Sequence, residues 1–349
     1  MNATFDGIVG SRPDRSATSP PGRTRGWAAL LLTVVLALAG CARQRDVVVV
    51  KLAHGLDQTH PVHKAMVHFG ERLAEKSKGT MRVDLYSGGQ LGSERECLEL
   101  LQFGGLGMTK VSSSVLEGFV PAFRVFGLPY LFRDEAHRWA VLDGPIGKEI
   151  LQAAEPVFLR GLCYYDAGTR SFYTTKKAVR TPGDLAGMKI RVQESPMAIA
   201  MVRALGGSAT PIAWGELYTA LQQGVVDGAE NNAPSLHLSR HYELCKAYSL
   251  DEHTAVPDVF IMSLHLWKTL TPEQQAWVQE AALESETYQR GLWAKATEDA
   301  LEAVAKAGVE IIHPDKTAFA AQVAPLLEEV NRTQPLVGDL ARRIKEAKP

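Results

Sequence analysis

Strand-like and helix-like segments alternate along the chain, and this alternation restricts the fold to the α/β class. Residues 47–54 (VVVVKLAH) are rich in β-branched side chains and predict a buried strand. Residues 60–77 begin with His-Pro and carry apolar side chains at helical spacing. Two more strands are predicted at 81–86 and 106–112, and Ser-Glu-Arg-Glu starts a helix over 93–103. This order indicates a lobe with a largely parallel sheet.

A second cycle of strands and helices begins near Gly168. Ser195-Pro196 caps the first of its two predicted helices. The predicted strands are 188–192, 209–212 and 225–229, and the predicted helices are 195–205 and 214–223.

One helical segment is unusually long. The sequence Thr-Pro-Glu-Gln at 271–274 predicts a helix start, and the helical pattern continues to about Ala307 with an interruption only at Gly291. A chain of 349 residues suits two lobes better than one compact domain. A helix of this length is able to cross between two lobes and support both.

The N-terminus has the pattern of an export signal. Residues 1–26 are rich in Ser, Pro, Gly and Arg, and residues 27–39 (WAALLLTVVLALA) form an apolar run too short for a typical membrane-spanning helix. The run ends in Leu-Ala-Gly-Cys, which resembles the bacterial lipobox. We therefore expect a signal peptide at 1–40, a lipidated Cys41 and a tether at 41–46. An ordinary signal peptide cut nearby and an uncleaved anchor remain alternatives.

Charge gives no sign of a nucleic-acid partner. The formal net charge is −1, with +2 on residues 1–40 and −3 on the remainder. No basic stripe is present, so we expect a soluble protein that does not bind nucleic acid. After Cys41, an odd number of cysteines is left: Cys97, Cys163 and Cys245. One disulfide with a free thiol and three buried thiols both remain open.

The usual enzyme motifs are missing. The sequence contains no G-x-S-x-G and no H-E-x-x-H, and residues 104–107 (GGLG) lack the third glycine of a dinucleotide fingerprint. Gly147-Lys148 is followed by Glu149, which excludes a phosphate loop. We therefore expect no cofactor and no enzymatic activity.

Histidines and a cysteine raise an alternative, a metal-binding site. Zinc uses these ligand types, and one group falls at i, i+4 and i+8, on one face of a predicted helix. A second group lies near the first predicted strand. The two groups are His237, His241 and Cys245, and His54, His60 and His63.

Two arginines point to an anionic ligand. Arg191 lies at the end of a predicted strand, just before the helix that starts at Ser195-Pro196. In open α/β lobes ligands lie beyond the carboxyl ends of strands, and a guanidinium there can grip both oxygens of a carboxylate. The alternative is a surface pair with Glu194. Arg170 lies at a crossing between the lobes, where a simple hinge salt bridge is the alternative.

Four segments in the same order resemble the solute-binding proteins of TRAP transporters, the tripartite ATP-independent periplasmic systems, which are also called the DctP family. The central one is 181–192 (TPGDLAGMKIRV). The others are 89–95 (GQLGSER), 128–132 (LPYLF) and 213–231 (AWGELYTALQQGVVDGAEN). The resemblance extends over most of the chain after residue 46.

This resemblance implies an α/β clamshell of the periplasmic-binding-protein kind, with a ligand cleft between two lobes and a long helix bridging both. We expect lobe I at 47–168 plus 257–296, and lobe II at 169–256 plus 297–349. It also implies capture of a small organic acid and its delivery to the small and large membrane subunits of a cation-driven permease. A lipid anchor would be a departure from the many members that diffuse freely in the periplasm.

The resemblance also implies ligand-binding residues. Arg191 matches the arginine that binds the ligand carboxylate, and Trp214 lies where the family often has an aromatic wall. The full set of candidates is Arg191, Arg170, Asn231, Trp214, Glu94, Lys110 and Ser112, with Glu194 and Asp258 as looser matches.

The donors and acceptors in this set predict a ligand with many hydroxyls. Glu94 and Asp258 accept hydrogen bonds, Lys110 donates, and Ser112 does both. An apolar ligand tail would leave these groups unpaired, whereas each hydroxyl both donates and accepts. We expect a uronate or an aldonate rather than a dicarboxylate or a keto acid. If Glu94 and Lys110 pair with each other, the pocket has fewer unpaired polar groups for a ligand to satisfy. A periplasmic metal-ion-binding protein and a secreted enzyme remain the rival functions.

Overall fold

The computed structural model describes residues 47–348. The predicted signal peptide at 1–40, the lipidated Cys41 and the tether at 41–46 lie outside the described residues. Within the described part, eleven strands form two sheets. The strands are β1 (Val48–Ala53), β2 (Met81–Tyr86), β3 (Met108–Ser112), β4 (Leu159–Tyr165), β5 (Arg170–Thr174), β6 (Lys189–Val192), β7 (Ser208–Pro211), β8 (Gly228–Asn231), β9 (Ala247–Thr254), β10 (Asp258–Ser263) and β11 (Glu310–Ile312).

Several helices begin at capping residues that the sequence predicts. Ser93 and Thr271 each form a capping box with the residue three positions later, Glu96 and Gln274. The helices are α1 (Pro61–Lys76), α2 (Glu94–Gln102), α3 (Ser113–Leu116), α4 (Glu135–Leu142), α5 (Pro145–Gln152), α6 (Pro196–Ala204), α7 (Leu217–Gln222), α8 (Ala233–Leu238), α9 (Leu264–Thr269), α10 (Pro272–Lys306), α11 (Lys316–Thr333) and α12 (Pro335–Glu346).

The first sheet has the strand order β2-β1-β3-β10-β4 and forms the first lobe. Strands β1, β2 and β3 are parallel, as expected from the β-α-β-α-β order. Strand β10 is antiparallel to both β3 and β4, so the sheet is mixed rather than largely parallel. Strand β10 enters this sheet only after strands β5 to β9 have joined the second one.

The second sheet has the order β11-β9-β5-β8-β6-β7 and forms the second lobe. Strand β6 is parallel to β7 and β8, and β5 is antiparallel to β8 and β9. The strand predicted at 225–229 begins later, at Gly228. Gly224 has φ +69° and turns the chain after α7, which delays the start of β8.

Helix α10 connects the cores of the two lobes. Its 35 residues span about 50 Å, and it continues through Gly291 without interruption. Near its start, Val278 and Ala282 pack in a cluster with residues of the first sheet. Near its end, Ala300 and Val304 pack in a cluster with residues of the second. The helix therefore acts as the predicted bridge.

The C-terminal helix α12 packs on the first lobe. Val337, Leu340 and Ile344 belong to a buried cluster with Phe123 and Phe126 of that lobe. The sequence prediction groups 297–349 with lobe II, and α12 differs from this grouping because its apolar face covers the first-lobe core. The other lobe boundaries stay a prediction.

Cys97, Cys163 and Cys245 are buried free thiols in the described chain. Burial raises the pKa of Cys97 to about 11 and that of Cys245 to about 12.

None of the helices between residues 47 and 348 is long and apolar enough to span a bilayer.

Candidate functional site

A cavity of about 320 Å³ lies between the two lobes, at the strand ends of both sheets. In the first sheet, the end of β3 and the start of the antiparallel β10 meet there, with Ser112 opposite Asp258. In the second sheet, the end of β8 and the start of β5 meet there, with Ser171 opposite Asn231. All nine residues predicted from the sequence line this cavity: Glu94, Lys110, Ser112, Arg170, Arg191, Glu194, Trp214, Asn231 and Asp258.

Arg191 offers an uncompensated positive charge. Its side chain is buried on β6, and its Nε donates to the carbonyl of Ile212 at 2.8 Å. Its Nη1 has no hydrogen-bond partner among the described residues, and no carboxylate there lies within ion-pair distance. Burial lowers the pKa of Arg191. The predicted alternative, a surface pair with Glu194, is wrong because Arg191 is buried and Glu194 is exposed.

Arg170 is buried as well, but its charge is compensated. Its Nε and Nη2 donate to the two carboxylate oxygens of Glu230, and Nη2 also donates to the Glu230 carbonyl at 2.7 Å. Its Nη1 donates to Asn231 Oδ1 at 2.9 Å. Burial acts to lower the pKa of Arg170, but Glu230 outweighs it and holds this pKa above its usual value. The hinge salt bridge that was the alternative for Arg170 is therefore formed.

Glu230 continues into a buried chain of charges. His253 Nε2 lies 3.5 Å from Glu230 Oε2, and His253 Nδ1 lies 2.7 Å from Asp251 Oδ2. Burial opposes both charges. Even so, Arg170 and His253 lower the pKa of Glu230 to about 2, and Asp251 raises that of His253 to about 9. Arg170 is thus held in position by buried groups that do not line the cavity.

Asn231 keeps its donors available. Its Oδ1 accepts from Arg170 and from the backbone N–H of Asn232 at 2.9 Å, and these contacts assign the amide orientation. The Asn231 NH₂ group then has both donors for a molecule in the cavity.

In the first lobe, Lys110 joins two acidic side chains. Lys110 Nζ donates to Glu94 Oε1 at 2.9 Å and lies 3.1 Å from Asp258 Oδ2. Burial acts to lower the pKa of Lys110, but Asp258 and Glu94 more than offset it. Burial, together with Glu94, raises the pKa of Asp258. Two carboxyl groups share one ammonium here, so acceptor capacity is left over.

The alternative in which Glu94 and Lys110 pair is therefore observed, with Asp258 as a third member. This pairing leaves hydrogen-bonding capacity unused, because a carboxylate has about four acceptor positions and an ammonium has three donors. Glu94 Oε2 also accepts from the backbone N–H of Ser112 at 3.1 Å.

Ser112 and Gln193 connect the lobes across the cavity. Ser112 Oγ, at the end of β3, donates to Gln193 Oε1 at 3.1 Å. Gln193 follows β6, directly before Glu194, which is exposed at the rim. Ser112 therefore makes a direct contact between the two lobes.

Trp214 forms an aromatic wall beside Arg191. Its ring centroid lies 5.8 Å from Arg191 Cζ and 5.2 Å from the ring centre of His241. It packs on the core clusters of both lobes. An indole at this position provides an apolar face for a carbon chain or a sugar ring.

The geometry contradicts the metal-binding alternative. Helix α8 ends at Leu238, and Arg240 has φ 58°, so His237, His241 and Cys245 do not share a helical face. His241 Nδ1 instead lies 3.0 Å from the hydroxyl of Tyr173. Across residues 47–348, no three or more His, Cys, Asp or Glu side chains are arranged to hold a metal ion.

Several residues of the site were not predicted. Glu230 lies inside the segment 213–231, where its neighbour Asn231 was assigned and it was not. His253 and Asp251 lie on β9, for which no strand was predicted. His60 was predicted as a helix start and as a candidate metal ligand, and it lines the cavity. The pairing of β5 with β8 and β9 brings Glu230, Asp251 and His253 close to Arg170, and no local pattern reports it.

Two α/β lobes, a bridging helix and a polar cavity between the lobes define a solute-binding protein. The chain belongs to the family of bacterial extracellular solute-binding proteins, family 7 (DctP), whose model matches residues 52–334. The predicted membership of the TRAP solute-binding proteins is confirmed.

Solved structures support the same assignment. A TRAP periplasmic solute-binding protein from Bradyrhizobium sp. BTAi1, in complex with α/β-D-galacturonate, is 41% identical with a TM-score of 0.83, covering 85% of this chain and 99% of that chain. One from Pseudomonas putida F1, with bound D-glucuronate, is 38% identical with a TM-score of 0.83, covering 86% and 98%. Among curated relatives, the C4-dicarboxylate-binding periplasmic protein DctP of Rhodobacter capsulatus is 30% identical over 81% of this chain and 86% of its own length.

Proposed function

We propose that this protein captures a polyhydroxylated monocarboxylate, a uronate or an aldonate, and delivers it to a TRAP permease. One observation carries the proposal: the cavity has an uncompensated arginine at one end and a cluster of shared acceptors and donors at the other. Arg191 supplies the first end. Lys110, Glu94 and Asp258 supply the second.

The two ends differ in what they accept. A guanidinium binds a carboxylate through two parallel hydrogen bonds, and Asn231 adds further donors nearby. The other end carries more carboxylate than ammonium, so a second ligand carboxylate would meet like charges at Glu94 and Asp258. Hydroxyls suit that end because each donates to a carboxylate and accepts from Lys110. The cavity therefore favours a sugar acid over a dicarboxylate.

The relatives support the same choice. The two solved structures described above hold galacturonate and glucuronate, each a sugar with a single carboxylate. The dicarboxylate-binding relative is less similar in sequence. Trp214, beside Arg191, is placed to cover the apolar face of a sugar ring.

Capture and release follow from the two-lobe arrangement. A ligand that contacts Arg191 in one lobe and Glu94 in the other stabilises the closed form, because it bonds to both only when they are close. The bond between Ser112 and Gln193 adds to the same closed state. We propose that the permease recognises this state and that the ligand leaves chemically unchanged.

We also propose a periplasmic location with a lipid anchor at Cys41. The support is the segment Leu-Ala-Gly-Cys after the apolar run at 27–39. A lipid chain on Cys41 would hold the protein at a membrane.

Calorimetric titration with a panel of acids tests the ligand class. The panel contains D-galacturonate, D-glucuronate, D-gluconate, succinate and 2-oxoisovalerate. We expect at least one sugar acid to bind and the last two to bind far more weakly. Tight binding of succinate or 2-oxoisovalerate, with no response to any sugar acid, would refute the proposal. Magnetic resonance spectra of the released ligand check that it is unaltered.

A further inference from the structure

His60 lies in the wall of the cavity and at the start of a helix. It is the N-cap of α1, with φ −65° and ψ 139°, and its Nδ1 accepts the backbone N–H of Val62 at 3.2 Å. Its side chain is buried, and its ring centre lies 5.8 Å from that of Trp293, another cavity residue. The ring therefore has one nitrogen engaged with the helix and the other directed elsewhere.

The cap bond determines which nitrogen carries hydrogen. A nitrogen that accepts a hydrogen bond has no proton, so the neutral ring carries its hydrogen on Nε2. Burial, assisted by the positive charge of Lys110, lowers the pKa of His60 to about 3. The ring is thus neutral around pH 7, and Nε2–H is a donor.

This donor has no acceptor in the described protein. His60 Nε2 is buried and makes no hydrogen bond to any residue between 47 and 348. A buried donor left unpaired is costly, so such groups ordinarily have a partner. The cavity that His60 lines is where a partner from outside the chain would lie.

The capping role alone does not account for a histidine here. Asn, Asp and Ser are the preferred N-caps, and each caps with a shorter side chain. A histidine adds a second nitrogen, on the far side of the ring from the cap. That second nitrogen has a use only if something in the cavity accepts from it.

We propose that His60 is a ligand-binding residue whose Nε2–H donates to an uncharged oxygen of the sugar acid, a hydroxyl or the ring oxygen. This inference rests on the proposed function and adds a specificity contact to it. His60 belongs to the first lobe, with Glu94, Lys110 and Asp258, whereas Arg191 lies on the second-lobe strand β6. The contact would therefore come from the lobe opposite the one that carries Arg191.

His60 complements the acidic groups that line the same cavity. Glu94 and Asp258 bind hydroxyl hydrogens, and His60 binds an oxygen lone pair without bringing a charge. A ligand without an oxygen at that position leaves the imidazole donor unpaired. The contact therefore selects for hydroxylated ligands over plain dicarboxylates and keto acids.

Two substitutions separate the two nitrogens. Asn at this position retains an acceptor near the place of Nδ1 and removes the distal donor. Gln retains a donor near the place of Nε2 and loses the short-range cap. Calorimetric titration with D-galacturonate and D-glucuronate measures the ligand affinity. Thermal unfolding without ligand measures the stability that the helix cap contributes.

For His60→Asn we expect affinity for the bound uronate to fall by about 5- to 100-fold, with the unfolding temperature nearly unchanged. For His60→Gln we expect a lower unfolding temperature and a clearly smaller loss of affinity. His313→Asn is the matched control, because His313 is exposed and does not line the cavity.

Three outcomes overturn the proposal. The first is a His60→Asn protein that binds within about twofold of the wild type, which means that the donor is not used. The second is equal loss in both folded variants, which means that ring shape rather than the donor matters. The third is a wild-type protein that binds no sugar acid, which also refutes the proposed function and is therefore distinguishable from the other two.

Discussion

The Arg170 guanidinium is bound along one edge by both oxygens of the Glu230 carboxylate, whereas Arg191, on a strand of the same sheet, has no acidic partner in the described chain. The two arginines therefore differ in what they offer an anion. The charge of Arg170 is already compensated by Glu230, and its Nη1 donates to Asn231 Oδ1. Arg191 is the cation whose charge a ligand carboxylate would compensate.

The first prediction concerns Arg191→Lys. Lysine keeps the charge but lacks the planar fork, so binding of the uronate should weaken by about 2–5 kcal/mol while the fold survives. Calorimetry measures the affinity, and circular dichroism checks the fold. Arg203→Lys is the control, because Arg203 is exposed and away from the cavity. Near-unchanged affinity in Arg191→Lys would remove this residue from the site.

The second prediction compares two ion pairs. Glu230→Gln leaves the buried Arg170 without its carboxylate, and we expect a loss of about 3–5 kcal/mol in the free energy of unfolding. Glu310→Gln breaks an exposed pair with Arg180, and the expected loss is about 0–1 kcal/mol. Urea unfolding of both variants measures the difference. Equal losses would show that the Arg170–Glu230 pair contributes no more than a surface contact.

The third prediction is a pH dependence of stability set by His253. Its pKa rises from 6.5 in the unfolded chain to about 9, so its stabilisation is complete below pH 6.5 and is lost as the pH rises through 9. The pKa of Glu230 falls from 4.5 to about 2, so its stabilisation is present above pH 4.5 and is lost as the pH falls towards 2. Both contributions are therefore complete between pH 4.5 and 6.5.

Urea unfolding at a series of pH values tests this. Between pH 6.5 and 9 the wild-type protein should lose stability on the order of a few kcal/mol, and His253→Gln should lose much less over the same range. Parallel curves for the two proteins would mean that His253 is not held in its charged form by Asp251 and Glu230.

Local signals made much of the fold predictable. The capping boxes at Ser93 and Thr271 and the proline starts of several helices depend only on neighbouring residues, so a single sequence reports them. Arg191 was predictable for the same reason, since the end of its strand and the start of the next helix adjoin. The mixed character of the first sheet was not predictable in this way, because β10 joins it from a distant part of the chain.

The charge pairing within the site was less predictable than the identity of the residues that line it. Nothing near Arg170 in the sequence shows that Glu230, 60 positions later, compensates its charge. The apparent helical spacing of His237 and His241 was misleading, because the left-handed Arg240 ends the helical run between them. Charge compensation and chain reversal both depend on tertiary structure, which periodicity does not describe.

The last prediction concerns the proposed anchor. If Leu-Ala-Gly-Cys is a lipobox, Cys41→Ser removes the thiol to which lipid is attached and on whose modification signal cleavage depends. We expect the wild-type protein in the membrane fraction with a lipid-modified N-terminal Cys41, and the variant without lipid, either soluble or held by its uncut signal. Cys97→Ser is the control, because that thiol is buried and should not affect localisation. Fractionation and mass spectrometry of the mature N-terminus measure both. A native protein that begins elsewhere and carries no lipid would show that residues 27–39 serve an ordinary export signal, and ligand capture by the two lobes would be unaffected.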